Sequence, residues 1–189
     1  MKIPALNTIL YEVSKNYGFT ANQAEEAAAL LKSESGKYIS SATHRIIKNR
    51  NWLIIAPNKT SEAENIFIEE NDTQVVFQQG ALSLELLLTT NHQPPTTNLI
   101  AQLDAVNIKF PLLLRKWKPG DYFYSLGMQK KKKLSRFFID QKLSLTQKEK
   151  TWVIETDKKI IWVVGMRIDD RFKITGSTKH ILQISLSQT

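Results

Sequence analysis

The sequence predicts an α+β protein: a helical hairpin with short strands, then a β-rich C-terminal domain carrying one short, basic-ended helix. Three observations predict it. Apolar residues recur at helical three-four spacing only within the first 35 or so residues. Beyond Gly36 the periodicity becomes alternating, in short runs separated by turn residues. The one later return to helical spacing, Leu134, Phe137 and Phe138, directly follows four lysines.

Taken in order, Ile3, Leu6, Leu10, Val13 and Tyr17 make one apolar stripe, with Pro4 suited to a first helical turn and Gly18 expected to end the helix. Thr20-Ala21-Asn22-Gln23 has the form of a capping box. The helix it opens carries Ala24, Ala27, Ala28 and Leu31, with Gly36 as the expected stop. Such a pair can be a helix-turn-helix, but Glu25, Glu26 and Glu34 would repel phosphate, so a packing hairpin is expected. Tyr38-Ile39, Ile46-Ile47 and Trp52 to Ile55 read as strands, the last two joined at Asn49-Arg50-Asn51. The stretch from Ile66-Phe67-Ile68 to Val75-Val76-Phe77 turns at Asn71-Asp72, and Leu82, Leu84, Leu86 and Leu88 alternate as one half-buried strand. Asn91 to Thr97 reads as a proline-stiffened loop.

Ile108 to Arg115 is expected to be a strand, with Pro111 tolerated near an edge. A turn follows at Pro119-Gly120-Asp121, then the short helix from Leu134 to Gln141. A hairpin is expected between Trp152-Val153-Ile154 and Ile160 to Val164, and Leu182, Ile184 and Leu186 form a last strand. The domain boundary is placed between residues 56 and 57, giving domains 1–56 and 57–189.

The absences narrow the function classes. There is no cysteine, so no disulfide framework or thiolate metal site. No two of the seven glycines are spaced for a phosphate-cradling loop. His44, His92 and His180 are scattered singly, away from metal-ligand spacing. Asp169 and Asp170 are adjacent, a poor arrangement for a cooperating acid and base. The N-terminus lacks the apolar core of a signal peptide and no apolar run is long enough to span a bilayer, so a cytoplasmic location is expected. No catalytic residue, metal or cofactor is expected within the chain itself.

Charge supplies the positive signal. The net charge is +8, and it is unevenly placed: residues 1–108 hold 8 Lys/Arg against 11 Asp/Glu, residues 109–189 hold 18 against 7. Such asymmetry points to a polyanionic partner for the second part. Its focus is Lys130-Lys131-Lys132-Lys133, placed where a helix begins and its dipole is already positive. Cations there raise the energy unless an anion arrives, and phosphate is the natural one. The competing reading is a lysine loop that is merely solvated.

The motifs of this region resemble a known family. Pro111 to Phe123, Leu126-Gly127-Met128, Lys132-Lys133-Leu134-Ser135, Phe137 to Lys142 and Ile161 to Lys173 are similar in kind and order to the C-terminal domain of bacterial tRNA(Ile)-lysidine synthetases. The resemblance covers about residues 109–175. Ser125 stands where the family often has proline, and Arg136 where a polar or acidic residue is common. The resemblance implies an enzyme that adenylates the wobble cytidine of a CAU-anticodon isoleucine tRNA with ATP, then lets lysine displace AMP to give lysidine. It assigns ATP and magnesium to an N-terminal domain with a Ser-Gly-Gly-x-Asp-Ser loop. No adjacent glycines occur here, so the chain is expected to be an inactive C-terminal portion whose role is to grip tRNA(Ile), chiefly at the acceptor stem. The contact residues expected are Arg115, Lys116, Lys118, Lys130, Lys131, Lys132, Lys133, Arg136, Lys142, Arg167, Arg171 and Lys173. Trp117, Trp162, Phe137 and Phe138 are expected in the core, and Asp140 is expected to orient a basic neighbour. A stand-alone basic nucleic-acid-binding module and a protein-interaction module remain the alternatives.

Overall fold

The computed structural model describes residues 4–58, 65–89 and 96–188. Ile3 of the first apolar stripe, His92 and the loop segment Asn91 to Pro95 lie outside them. The chain divides into two compact units: Met1–Glu62 with Leu143–Lys148, and Ala63–Lys142 with Glu149–Thr189.

The first unit begins with α1 (Pro4–Ser14), which runs through a 3-10 turn to Gly18 in the left-handed conformation, φ +78°. Val13 is 55% exposed while Ser14 is buried. The inward stripe therefore drifts from the expected line: Ser14 turns its hydroxyl back onto the Leu10 carbonyl at 2.6 Å, a bond the shorter side chain makes without needing an apolar partner. α2 (Ala21–Leu30) opens with the complete capping box, Gln23 N–H donating to the Thr20 hydroxyl and Thr20 N–H to the Gln23 side chain. It ends at Leu30, earlier than Gly36, because the Leu31 N–H already closes on Ala28 and Ala29. Gly36, φ +100°, instead turns the chain so that its N–H meets the Lys48 carbonyl. β1 (Tyr38–Ser40), β2 (His44–Asn49) and β3 (Trp52–Pro57) form an antiparallel sheet in that order. Phe19, Ala27, Leu30 and Ile46 make the unit's core. The alanines are small enough for the backbones of helix and sheet to approach closely.

In the second unit β4 (Asn65–Ile68) and β5 (Gln74–Phe77) flank the expected turn but do not pair with each other. β5 pairs with β6 (Gly80–Leu88), and β4 crosses to β8 (Leu112–Lys116), reached after β7 (Ile100–Asp104). β8 starts only after Pro111, which has no N–H to give, and it lies inside its sheet rather than at an edge. Next come β9 (Tyr122–Phe123), β10 (Lys132–Lys133) and α3 (Leu134–Asp140); α4 (Leu145–Lys150) follows, its residues through Lys148 belonging to the first unit. β11 (Trp152–Thr156) and β12 (Lys159–Val163) turn at Asp157 and Lys158, both at positive φ as a tight hairpin requires. β13 (Arg167–Ile168) and β14 (His180–Gln188) complete the chain.

Two larger antiparallel sheets result, β13-β12-β11-β8-β4 and β5-β6-β14-β7, beside the two-stranded β9–β10 pair. Alternate residues of both meet in one core: Leu112 and Leu114, Trp152 and Ile154, Leu82 and Leu84, Leu182, Ile184 and Leu186. Period two thus decides what is buried, up to a limit. Leu86 and Leu88, in phase with Leu82 and paired to β14, are nonetheless more than 60% exposed.

The capping box yields a stability test. Thr20→Ala is expected to lower the unfolding free energy by about 1 kcal/mol, and Thr20→Ser to leave it nearly unchanged, as read by urea denaturation. Equal midpoints for wild type and Thr20→Ala would remove the box from the energetics.

Candidate nucleic-acid interface

The basic segment of the second unit is organised around a buried ion cluster. Arg115 on β8 faces Val153 of β11, which puts Glu155 diagonally beside it on the same sheet face. Its guanidinium donates from Nε and Nη2 to Glu155 at 3.0 and 2.6 Å, and from Nη1 and Nη2 to Asp121 at 2.8 and 3.0 Å. Nη1 also reaches the Lys116 carbonyl at 3.1 Å. The five N–H groups of an arginine are thereby all committed inside the protein. Burial works against the charge, yet the bonds and attraction from Asp121 and Glu155 outweigh it and raise the Arg115 pKa above its ordinary value. Here the structure departs from expectation: Arg115 is 7% exposed and has no donor left for a phosphate.

Asp121 passes this order onward. Its Oδ2 accepts the Lys118 N–H at 2.8 Å, closing the Pro119-Gly120 turn, and its carbonyl accepts the Leu134 N–H at 2.9 Å where α3 begins. Gly120 takes φ +95°, which the turn requires and a side chain would resist. The turn presents Lys118 to solvent. Lys116 leans over the Trp152 ring and donates to Gln78 at 2.7 Å.

β9 and β10 pair through Phe123 with Lys132 and Tyr122 with Lys133. Phe123 is buried against Phe137 of α3, and Leu134, Phe137 and Phe138 form the helix's inward face, Phe138 meeting Trp117 edge-on at 4.9 Å. Trp162 is fully buried and Trp117 only partly so. This packing turns the lysines outward with differing freedom. Lys130, Lys131 and Lys133 are exposed, and Lys142 follows α3 at φ +57°. Lys132 is half-buried, 2.9 Å from Asp140. Arg136 is 3.5 Å from the same carboxylate. The Lys132 hydrogen bond, opposed by some desolvation and aided by the charge of Arg136, holds Asp140 below the usual carboxylate range. Lys133 occupies the helix N-cap in β conformation and makes no side-chain cap bond. The lysines thus begin as a strand pair rather than as a helical first turn.

On the β13 side, Arg167 is exposed, while Arg171 grips the fully buried Asp169 through Nε and Nη2 at 2.9 and 2.8 Å. That grip is the first cause of the raised Arg171 pKa, with burial opposing it. Asp169 also accepts the Tyr124 N–H, and Asp170 accepts the Gly127 N–H at 2.9 Å and pairs with Lys173 at 3.1 Å. The Gly127 N–H does most to lower the Asp170 pKa; burial opposes this and Lys173 adds to it. The two carboxylates therefore bind loop and cations separately.

The structure brings the lysine hairpin and the Arg171 corner together through two residues not anticipated from sequence, Tyr122 and Tyr124. Lys131 Nζ sits 3.5 Å above the Tyr122 ring centre, the two tyrosines meet edge-on at 6.5 Å, and the Arg171 guanidinium lies 4.4 Å over Tyr124. The available signal was the triplet Tyr-Phe-Tyr, which turns both tyrosines outward once Phe123 is buried. Among the described residues no three His, Asp or Glu side chains are gathered to hold a metal ion.

Comparison with known proteins adds a second line. Residues 1–58 match the family described as TilS substrate binding domain, and residues 112–186 the TilS substrate C-terminal domain. The chain is 41% identical over 186 residues to a tRNA(Ile)-lysidine synthase of Parabacteroides distasonis, covering 98% of this chain and 42% of that protein. To the Bacteroides thetaiotaomicron synthase it is 33% identical, covering 95% and 39%. To the Caldanaerobacter subterraneus synthase it is 34% identical, covering 94% and 39%. The chain therefore spans about two-fifths of the length of the curated relatives it matches. A solved structure described as the crystal structure of the TILS C-terminal domain shares the fold, with TM-score 0.55 and 19% identity over 67% of this chain and 98% of that one.

The Arg115 cluster makes a sharp prediction. Arg115→Met strands two acids in the interior and is expected to cost about 3–5 kcal/mol. Arg115→Lys should recover only part of this, since an ammonium cannot make the same fork. A loss below 1 kcal/mol on denaturation would show that the cluster does not hold this region.

Proposed function

The chain belongs to the tRNA(Ile)-lysidine synthase family, of which it carries the substrate-binding and C-terminal domains, and on that premise we propose that it grips the tRNA while the rest of the enzyme performs the ligation. The overall reaction uses ATP to activate the wobble cytidine of tRNA(Ile) with a CAU anticodon and lysine to displace AMP. ATP and magnesium belong to the part of the relatives that this chain does not span. The location proposed is cytoplasmic; no described helix is long and apolar enough to cross a membrane. We propose that the helical domain ends close to residues 56 and 57, where β3 finishes.

One observation carries the reading: the acids of the basic region are engaged inwardly or locally, while Lys130, Lys131, Lys133, Arg136 and Lys118 face solvent on a rigid framework. An RNA duplex is recognised across its shallow groove through shape, phosphates and 2′-hydroxyls, and the deep groove excludes side chains. Its acceptor stem is such a duplex, and an ordered platform of cations is what it requires. Lys116, Lys142, Arg167, Arg171 and Lys173 extend the contact face on either side. Arg115 and Lys132 act as positioning residues, the first by fixing the Lys118 turn and the start of α3, the second by fixing Asp140.

The test is a salt titration of tRNA(Ile) binding. Replacing Lys130, Lys131 and Lys133 together by Ala is expected to weaken binding and to flatten the log K against log salt slope by roughly 0.7–0.9 for each phosphate no longer neutralised. Lys132→Ala alone should change the slope little. If the triple variant keeps both wild-type affinity and slope, the hairpin is not the RNA face.

A further inference from the structure

We propose that Tyr122 and Tyr124, with Lys131 and Arg171 laid against their rings, form a stacking site for one unpaired nucleotide of the bound RNA. This rests on the basic face being the RNA surface and adds a ligand that a duplex-binding platform does not need.

The site is assembled by alternation on β9. Phe123 points into the core, so its neighbours project outward, Tyr122 to 37% exposure. A tyrosine ring beside lysines in open solvent stabilises the fold little. What distinguishes Tyr124 is its fixing: Asp169, fully buried, accepts the Tyr124 N–H at 2.8 Å and grips Arg171 with both oxygens. One carboxylate thus sets both the backbone that carries the ring, just past β9, and the planar cation 4.4 Å above it. Arg171 keeps about a third of its side chain exposed, 33%, so the stack ends at solvent rather than in the core. Lys131, by contrast, rests on Tyr122 at 3.5 Å with no carboxylate among the described residues to hold it. It can swing from ring to phosphate as a base arrives.

The chemistry selects the ligand. Aromatic rings and guanidinium planes accept the flat face of any base, and the adjoining lysines neutralise the phosphates on either side. Bases inside a duplex keep their faces stacked on one another, so only a nucleotide from an end, bulge or loop can lie here. A peptide or lipid headgroup uses the cations without needing the rings.

Three RNA hairpins bound by the complete chain test the idea: one blunt, one with a short unpaired 3′ extension carrying a fluorescent purine analogue, and one whose extension is abasic. Wild type should favour the base-bearing extension about tenfold over the abasic one, with quenching of the analogue on binding. Tyr122→Leu/Tyr124→Leu should erase that preference and the quenching while leaving blunt-hairpin affinity and salt slope intact. The corresponding Phe double variant should retain both. Equal wild-type affinity for the base-bearing and abasic extensions overturns the stacking site, and that comparison needs no protein variant. So does a Leu variant that keeps the preference, or one that binds all three hairpins equally less well. If wild type binds no hairpin even at low salt, the underlying reading of the basic face falls as well.

Discussion

The arrangement of the second unit depends on Arg115 having its charge answered inside the protein. A guanidinium beneath the surface is costly to desolvate, and two carboxylates facing it are costly too. Together, with every donor used, they settle into one geometry. That geometry ties the Lys118 turn and the start of α3 to the paired strands β8 and β11. An apolar trio of similar volume could bury as much surface. It would not dictate where Asp121 sits, and through Asp121 the position of the α3 N-terminus. The cluster's contribution is therefore one of register more than of net stability.

The same logic explains the positive face. Residues 109–189 contain seven acids, and Asp121, Glu155 and Asp169 are held inside while Asp170 and Asp140 are tied to loop or helix. Of these, Asp121, Asp169 and Asp170 accept backbone N–H groups and so steady the chain beneath the cations. Asp140 and Asp170 have folded pKa values below the ordinary one. Their stabilisation is fully present above the unfolded carboxylate value of about 4 and fades as pH falls through the lowered folded value. Between neutrality and mild acidity the face keeps both its charge and its support.

Local chemistry was legible in the residues, and long-range partnership was not. The Thr20 capping box, the hairpin around Asp157-Lys158 and the Leu134-Phe137-Phe138 face each need only neighbours within a few positions, and each is present. The separation of β4 from β5 was not legible, because a strand's alternation says which face is buried and nothing about which edge it joins. Arg115 looked like a surface cation for the same reason: Glu155 lies forty residues away, and only the β8–β11 register brings it alongside. Tyr122 and Tyr124 were overlooked because aromatic residues near strands are usually core, and it takes the burial of Phe123 to turn them out.

That reversal bears on how such a surface discriminates. Lysines on flexible stems give affinity to any polyanion, with little demand on its shape, and they lose rotamer freedom on binding. A pinned pair such as Tyr124 and Arg171 has lost that freedom already on folding, so engaging it costs less and demands more of the ligand's position. If this face holds RNA as proposed, selectivity among RNAs of equal charge comes from its pinned members. On the proposed reading, the buried carboxylates Asp121 and Asp169 shape recognition from beneath the surface, by holding those members in place. A surface with the same net charge but without those two anchors would hold its cations on flexible stems, which attract any polyanion with little demand on its shape.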